Sequence, residues 1–404
     1  MGITIRLVDA EERVRLVRPL TGYAFESSPR DDDMELLRRR MSVGSRRTHV
    51  AFDGDDPRCT ATVIEMTQNV RGALLPMGAV AAVATHPAAR RQGLARDMLR
   101  HILADMREQG QVVSTLYPFR PSFYERFGYT GLPPERRASL TPADLAPLLR
   151  VPVPGTVELV RYPDAAAEVR GLTEALLPEV HGMALRADPG LADARGETQH
   201  WAAVARVDGE VTGYLAYRVE EYGGQLTAWR FLYRDPAART LLLGWLARHV
   251  DQVSTVSLPL RPVDRPETWA TDLTLTVQGR SEPYANAPMG RVLSVPGLTG
   301  IGAGDGEVTV RVTDDVVGGV YTLTGAGGAL SVKVEGDTGP AAPAGDPASR
   351  PYAELTGHGL AALVYGVLDP AELYLRGYGT VDAAAAEQLR ALFPLQAPFL
   401  LEAF

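Results

Sequence analysis

A basic, glycine-containing segment at residues 83–96 has the composition of an anion-binding site. It reads Val-Ala-Thr-His-Pro-Ala-Ala-Arg-Arg-Gln-Gly-Leu-Ala-Arg, and Arg90, Gly93 and Ala95 give it the spacing R-x-x-G-x-A. A helix that begins here would offer unpaired backbone N–H groups and the positive end of its dipole. Glycine lets the backbone approach an anion closely, and Arg90 and Arg91 add positive charge. The segment therefore predicts a pyrophosphate-binding site.

The elements around this segment are those that such a site requires. The small apolar run Gly78–Thr85 predicts a buried strand before it. The residues after it predict a helix packed on a sheet, because an apolar residue recurs at every fourth position. These residues are Leu94, Met98, Ile102 and Met106, flanked by Leu99 and Leu103, and Gly110 is placed to end the helix. Val112–Tyr117 then predicts a strand and Ser122–Phe127 a short helix, which completes an α/β unit.

A tyrosine in the next segment is the candidate proton donor. Residues 116–129 read LYPFRPSFYERFGY, with Tyr124 and Tyr129 five residues apart. Tyrosine, with an ordinary pKa of about 10, is neutral at pH 7 and can donate a proton to a leaving group. We expect Tyr129 to belong to the core, His86 to be a structural loop histidine and Cys59 to be inert. The sequence contains no Ser-His-Asp order and no metal-ligand spacing that would favour a different chemistry, so we predict no metal.

Composition and charge limit the class of protein. The 404 residues are 45% hydrophobic and 22% charged, which is typical of a globular chain of more than one domain. A net charge of −8 argues against nucleic-acid binding and is compatible with cationic substrates. Cys59 is the only cysteine, which favours a reducing, cytoplasmic location. The chain has no apolar signal-peptide core and no apolar run of about 18 residues, so we expect no membrane span.

The pattern predicts three domains of α/β (α+β) class, at 1–150, 151–287 and 288–404. In the first we predict strands at 3–8, 49–53 and 59–70 and helices at 10–20 and 31–42. In the second we predict strands over 207–233 and a helix over 235–250, with Asp235 as N-cap and Pro236 after it. In the third we predict strands at 307–312, 320–324 and 329–335, a Pro/Gly loop at 336–351, helices at 359–368 and 381–393, and a strand-like run at 399–404.

The segment 83–96 resembles the acetyl-coenzyme A loop of the GNAT acetyltransferases. The Phe-Tyr-x-x-Phe-Gly-Tyr pattern at 123–129 narrows the resemblance to the enhanced-intracellular-survival (Eis) acetyltransferases. The resemblance implies two tandem GNAT-like domains, the second degenerate, followed by a sterol-carrier-protein-like domain entered near Met289. It also implies acetyl-CoA as co-substrate, a small-molecule amine as partner and a homo-hexamer.

The resemblance also implies roles for particular residues. Tyr124 matches the general acid of the family, and Phe404 matches the residue whose main-chain carboxylate is the general base. The positions implied to bind the cofactor are Val83, Ala84, Thr85, Arg90, Arg91, Gln92, Gly93, Leu94, Ala95, Arg96, Phe119 and Arg120. Phe119 and Arg120 replace small and acidic residues of the family, and Ala403 replaces an acidic residue. The side-chain contacts that the family makes at these positions therefore cannot be assigned to this chain. Glu26 and Asp31–Asp33 lie where the family has its substrate pocket, but a solvated helix start also explains this acidic run.

The leading functional prediction is N-acetyl transfer from acetyl-CoA to a primary amine. The acceptor would be a cationic small molecule, such as an aminoglycoside or polyamine, or a lysine side chain. An alternative is a non-catalytic protein that binds acetyl-CoA, or a lipid in its sterol-carrier-like domain. A third interpretation is another GNAT reaction, such as peptide or amino-acid acetylation. Turnover of an amine separates the first and third from the second, and substrate profiling separates the first from the third.

Overall fold

The computed structural model describes residues 2–26, 34–35, 37–38, 44–186, 200–279, 287–335 and 351–401. These residues form two compact units. The first comprises Met1–Pro133, Glu179–Asp188 and Pro283–Phe404, and the second comprises Pro134–Pro178 and Pro189–Glu282. The predictions for Asp31–Asp33, for most of the loop 336–351 and for residues 402–404 lie outside the described residues.

The elements have the following bounds. The described strands are β1 (Ile3–Val8), β2 (Arg46–Asp53), β3 (Asp56–Val70), β4 (Ala73–Thr85), β5 (Val113–Leu116), β6 (Thr130–Gly131), β7 (Arg136–Leu140), β8 (Thr156–Arg161), β9 (Ala184–Arg186), β10 (Trp201–Val207), β11 (Glu210–Val219), β12 (Gln225–Tyr233), β13 (Thr255–Leu260), β14 (Leu275–Gly279), β15 (Met289–Val292), β16 (Gly306–Thr313), β17 (Gly319–Ala326), β18 (Ala329–Val334), β19 (Tyr352–Thr356) and β20 (Gly379–Val381). The described α-helices are α1 (Ala10–Glu12), α2 (Arg18–Phe25), α3 (Leu94–Glu108), α4 (Pro121–Glu125), α5 (Tyr162–Leu176), α6 (Pro236–Ala247), α7 (Gly357–Val364) and α8 (Ala383–Leu392).

The first unit is built on a mixed sheet with the strand order β1-β2-β3-β4-β5-β15-β6, and β9 pairs with β3. Strands β1 to β4 are antiparallel neighbours, whereas β4 and β5 are parallel. Two parallel neighbours require a crossover connection, which α3 supplies. Strand β15 enters from much later in the chain and pairs with both β5 and β6.

Helix α3 confirms the apolar stripe predicted from the sequence. Its buried residues are Leu94, Met98, Leu99, Ile102, Leu103 and Met106. They pack in one cluster with Ala61, Val63 and Val80 of the sheet. Gly93 precedes the helix with φ of +88°, and Gly110 follows it with φ of +79°. Both values lie in the left-handed region that glycine adopts without a Cβ clash, so glycine sets both ends of the helix.

A five-stranded sheet of order β18-β17-β16-β19-β20 completes the first unit. Its core includes Val310, Leu323 and Leu355 and helix α7, and it is continuous with Met77 and Val113 of the mixed sheet. The two sheets of this unit therefore share one hydrophobic core.

Arg71 and His181 form a buried hydrogen-bonded joint that anchors the C-terminal part of the first unit. The guanidinium of Arg71, in the β3–β4 turn, donates to the carbonyls of Leu363, Val364 and Pro394. The backbone N–H of Arg71 donates to Nδ1 of His181 at 3.0 Å, and Nε2 of His181 lies 3.1 Å from the carbonyl oxygen of Tyr365. Because Nδ1 must accept, the neutral ring carries its proton on Nε2.

The second unit has a sheet of order β14-β7-β13-β12-β11-β10-β8. Its β12 and β13 are parallel and are connected through α6, as β4 and β5 are through α3. The predicted N-cap is confirmed, since the Asp235 side chain accepts from the N–H of Ala238, with Pro236 in the first turn. The two units thus repeat a strand–helix–strand arrangement.

Several sequence expectations differ from the structure. The helix expected at 10–20 continues through a π-helical turn, Arg13–Val17, to Phe25. β4 starts at Ala73 rather than Gly78, because the Arg71–Gly72 turn lets it pair with β3 along its whole length. β7 lies within the range 1–150 but pairs with β13 and β14 in the sheet of the second unit.

The strand-like run expected from Phe399 is absent in residues 399–401. These residues follow a proline-containing segment, and the Phe399 N–H instead donates to the carbonyl of His181. None of the described helices is long and apolar enough to cross a membrane.

Candidate functional site

Strands β4 and β5 separate after the carboxyl end of their paired stretch, and we call the gap between them the fork. Met77–Val80 pair with Val113–Leu116, and β5 then ends while β4 continues to Thr85. Among the described strands, only β3 pairs with β4 beyond this point. The free edge of residues 81–85 therefore offers backbone N–H and C=O groups to an extended ligand that carries amides.

A β-bulge lies in the same stretch of β4. The register with β3 shifts between Thr60 and Thr62, and Ala82 has φ of +52°. A bulge bends its strand and increases its twist, which helps β4 to diverge from β5. The bulge could not be predicted from the sequence, since an alanine within GAVAAVAT carries no signal for positive φ.

The loop between β4 and α3 is ordered by its own side chains. His86 accepts from the Ala88 N–H through Nδ1, as expected of a structural histidine. Arg90 Nε donates to the carbonyl of Thr85 at 3.2 Å, and its guanidinium lies 5.6 Å from the ring centroid of Tyr23 in α2. Gln92 Nε2 donates to the Ala88 carbonyl at 3.0 Å. Arg90 therefore also ties the end of β4 to the N-terminal helix.

The start of α3 has backbone donors that no side chain among the described residues caps. Gly93 is the N-cap residue and makes no side-chain cap bond. The N–H groups of the first helical turn have no intrahelical acceptor and lie at the positive end of the dipole. Arg90, Arg91 and Arg96 are exposed around them. The structure thus brings the predicted anion-binding residues together at one helix end, next to the free edge of β4.

Tyr124 lies in an aromatic cluster that shares a hydrophobic core with β4, β5 and α3. Its ring makes edge contacts with Phe119, Phe123 and Tyr129, with centroids 5.6, 5.1 and 6.2 Å away. It packs in the same cluster as Val80 and Leu94, and only 3% of its surface is exposed. Burial raises the pKa of Tyr124 above its ordinary value, so the hydroxyl stays protonated at neutral pH. Among the described residues, none forms a hydrogen bond to this hydroxyl.

Tyr129 has a different environment, as a core residue should. Its hydroxyl lies 2.7 Å from Oγ of Ser114, which donates to the carbonyl of Gly78. Tyr129 must therefore donate to Ser114. Burial raises the pKa of Tyr129 to about 12. Its proton is held within the core, so of these two tyrosines Tyr124 is the one free to donate.

Two of the positions implied to bind the cofactor, Phe119 and Arg120, are exposed to solvent. Phe119 is 64% exposed, although its ring contacts Tyr124. Arg120 is exposed and precedes α4 without a side-chain cap bond. Phe404 lies outside the described residues. Glu26 forms a bidentate ion pair with Arg18, with both N–O distances 2.7 Å. The negative charge of Glu26 is therefore largely compensated.

Comparisons with known proteins agree with this geometry. Residues 4–131 and residues 182–292 each match a family described as "Acetyltransferase (GNAT) domain". An uncharacterized N-acetyltransferase of Streptomyces coelicolor is 32% identical over 266 residues, covering 59% of this chain and 61% of that protein. One from Streptomyces avermitilis is 30% identical over 275 residues, covering 63% of this chain and 64% of that protein. The chain thus matches less than two thirds of the length of these relatives.

Solved structures share the fold over the whole chain. A GCN5-related N-acetyltransferase from Anabaena variabilis has a TM-score of 0.81 at 18% identity, with 100% of both chains covered. Eis1 from Mycobacterium abscessus has a TM-score of 0.77 at 17% identity, also with 100% of both chains covered. The chain therefore carries two GNAT acetyltransferase domains in tandem within a mixed α/β fold. The domain matches and the named relatives support an acetyltransferase enzyme.

Proposed function

We propose that this protein is an Eis-like N-acetyltransferase that uses acetyl-CoA to acetylate a primary amine. The observation that carries the proposal is the fork between β4 and β5. It combines a free, bulged strand edge with the uncapped start of α3, and Tyr124 packs in the adjoining cluster. A ligand that carries both an amide arm and a pyrophosphate fits this combination of backbone donors and positive charge.

The cofactor-binding residues fall into two groups in this proposal. Val83, Ala84 and Thr85 face the amide arm with their backbone groups. The loop and helix start, from Arg90 through Arg96, hold the pyrophosphate through N–H groups and arginine charge. Arg90 already donates to the Thr85 carbonyl, so it supports the strand end while its exposed face remains near the phosphates. Phe119, whose ring contacts Tyr124, and the exposed Arg120 are further candidate contacts in this proposal.

The chemistry requires two proton movements. The amine must lose a proton before its lone pair attacks the thioester carbonyl, and the C–S bond then breaks. Tyr124 donates a hydrogen bond and its proton to the departing sulfur, a role that suits a buried, neutral hydroxyl. The resemblance assigns the base to the main-chain carboxylate of Phe404. A carboxylate is a weak base in water, and desolvation in the site would strengthen it.

The acceptor we propose is a cationic small molecule or a lysine side chain. The net charge of −8 gives general support, since it favours the approach of cations. The cytoplasmic location, the hexamer, the sterol-carrier-like nature of the C-terminal part and the domain limits at 150 and 287 remain predictions.

A thiol-release assay tests the proposal. Purified protein is mixed with acetyl-CoA and with a panel of polyamines, aminoglycosides and lysine peptides, and product mass is measured in parallel. We expect coenzyme A release that depends on one of these amines and a matching 1:1 acetylated product. Tight acetyl-CoA binding in calorimetry with no turnover of any amine would contradict the proposal and favour the non-catalytic alternative.

A further inference from the structure

Helix α4, which carries Tyr124, is too short to hold its own position. It spans only Pro121–Glu125, and Arg120 gives it no side-chain cap. Isolated helices of this length are unstable because the cost of the first turn is not recovered by further hydrogen bonds. The orientation of Tyr124 therefore depends on contacts between this segment and the rest of the first unit.

One such contact comes from the five-stranded sheet. The hydroxyl of Tyr378, just before β20, donates to Oε1 of Glu125 at 3.2 Å. Glu125 is the neighbour of Tyr124 in the chain and the last residue of α4. The hydrogen bond thus joins the end of α4 to a residue from the C-terminal part of the same unit.

Tyr378 is itself held firmly. It is 5% exposed, and its carbonyl accepts from both the N–H and the hydroxyl of Thr356, each at 2.9 Å. The ring of His358 meets it edge-on, with centroids 4.2 Å apart. A donor fixed in this way can determine where Glu125 lies rather than follow it.

A second contact fixes the turn after α4. The N–H of Phe127 donates to the Tyr124 carbonyl at 2.9 Å, and the chain then turns at Gly128, which has φ of +75°. A Cβ on Gly128 would lie 2.7 Å from Asp314 Oδ2 and 2.9 Å from Arg291 Nη1. Arg291 of β15 and Asp314, after β16, form a buried ion pair. The turn therefore rests directly on this ion pair.

We infer that the five-stranded sheet sets the reactive position of Tyr124, with Tyr378 and Glu125 as positioning residues. This inference rests on the proposed function, because it assumes that Tyr124 is the proton donor. Glu125 acts here as a hydrogen-bond acceptor and not as a base. Its ionic charge is therefore dispensable, whereas its side-chain oxygen is required.

The first test removes a single oxygen atom. Tyr378→Phe should lower kcat about 10-fold, since the hydrogen bond that positions the end of α4 is lost, and should leave the KM for acetyl-CoA unchanged. Backbone amides of residues 121–129 should exchange hydrogen faster in this variant. The matched control is Tyr352→Phe in β19 of the same sheet, whose hydroxyl contacts Arg311 and Glu354 instead. The control should change neither kcat nor exchange in 121–129.

Two further variants separate positioning from direct catalysis. Glu125→Gln keeps an acceptor oxygen and should retain near-normal kcat, whereas Glu125→Ala should match Tyr378→Phe. In a Tyr124→Phe background, Tyr378→Phe should cause no additional loss. If the wild-type protein acetylates an amine and Tyr378→Phe is equally active, the inference is overturned. The same holds if Glu125→Gln loses activity. In both cases the proposed function stands. Wild-type protein that acetylates no amine would overturn both.

Discussion

At the scale of single residues, Tyr124 and Tyr129 show how environment separates two identical side chains. Both are buried, and burial raises the pKa of each. Tyr129 donates its proton to Ser114, whereas no described residue forms a hydrogen bond to the Tyr124 hydroxyl. The sequence pattern identifies residues 123–129 as the candidate segment, but only the hydrogen bond to Ser114 explains why we propose Tyr124 rather than Tyr129 as the proton donor.

Replacement of Tyr124 by phenylalanine tests its role. Tyr124→Phe should fold normally, bind acetyl-CoA with native affinity and lose about 10²–10⁴-fold in kcat. Because the pKa of Tyr124 is raised, its ionisation should not reduce wild-type activity below about pH 10. Steady-state kinetics across pH and calorimetry measure these quantities. Tyr129→Phe is the control, and it should lose stability rather than kcat. Near-normal turnover by Tyr124→Phe would remove its assigned role.

The arginines at the helix start should act on binding more than on turnover. The Arg90→Ala/Arg91→Ala double variant loses two charges that we propose hold phosphate, each worth at most about 1.5–3 kcal/mol. We expect a KM for acetyl-CoA raised by at least about 10-fold, with a smaller change in kcat. The Arg90→Lys/Arg91→Lys variant keeps the charge and should be affected less. Unchanged acetyl-CoA affinity in the double alanine variant would remove the assignment of this loop.

At the scale of elements, local patterns were predictable and distant pairings were not. The α3 stripe, both of its terminal glycines and the Asp235 cap follow from residue spacing, and the structure confirms them. The place of β15 between β5 and β6 could not be predicted, because its partners lie more than 150 residues away along the chain. The bulge at Ala82 and the contact of Tyr378 with Glu125 depend on three-dimensional packing and also lack a local signal.

The two glycines that bound α3 offer a matched pair of variants. Both have positive φ, so alanine at either position should cost about 1–2 kcal/mol of stability. A Cβ at Gly93 would also lie 3.0 Å from Nη2 of Arg96, whereas a Cβ at Gly110 meets open space. We expect Gly93→Ala to weaken acetyl-CoA binding and Gly110→Ala to leave it intact. Thermal unfolding and calorimetry provide the two readouts, and equal acetyl-CoA affinities would argue against a ligand at the start of α3.

At the scale of the whole molecule, the joint at His181 should make stability depend on pH. Burial lowers the pKa of His181 from 6.5 to about 4. Between these values the unfolded chain binds more protons than the folded one. The free energy of unfolding should therefore rise with pH through this window and fall by up to about 3 kcal/mol on acidification.

Denaturant unfolding at several pH values measures this dependence. His181→Gln should flatten the slope between pH 4 and 6.5, because the titrating ring is gone. An unaltered slope in His181→Gln would show that the joint does not titrate in this range.

The proposed base gives a prediction about the C-terminus. If residue 404 carries the free main-chain carboxylate that acts as base, a short C-terminal extension converts this group to a neutral amide. Deleting Phe404 withdraws it by about 3.3 Å along an extended chain. Both changes should depress kcat and preserve acetyl-CoA affinity. Phe404→Ala keeps the carboxylate and should be milder. Full activity with an extended C-terminus would exclude the carboxylate role.

The insertion of β15 between β5 and β6 has a consequence for biosynthesis. A ribosome must translate past Val292 before the mixed sheet can receive its missing strand. Until then the nascent N-terminal GNAT domain exposes unpaired edges at β5 and β6, which are templates for association with other chains. A fragment released after residue 150 should therefore aggregate, while one that extends through the five-stranded sheet should stay monodisperse or form defined oligomers. Chaperone demand should accordingly peak late in translation, well after residues 83–96 have emerged.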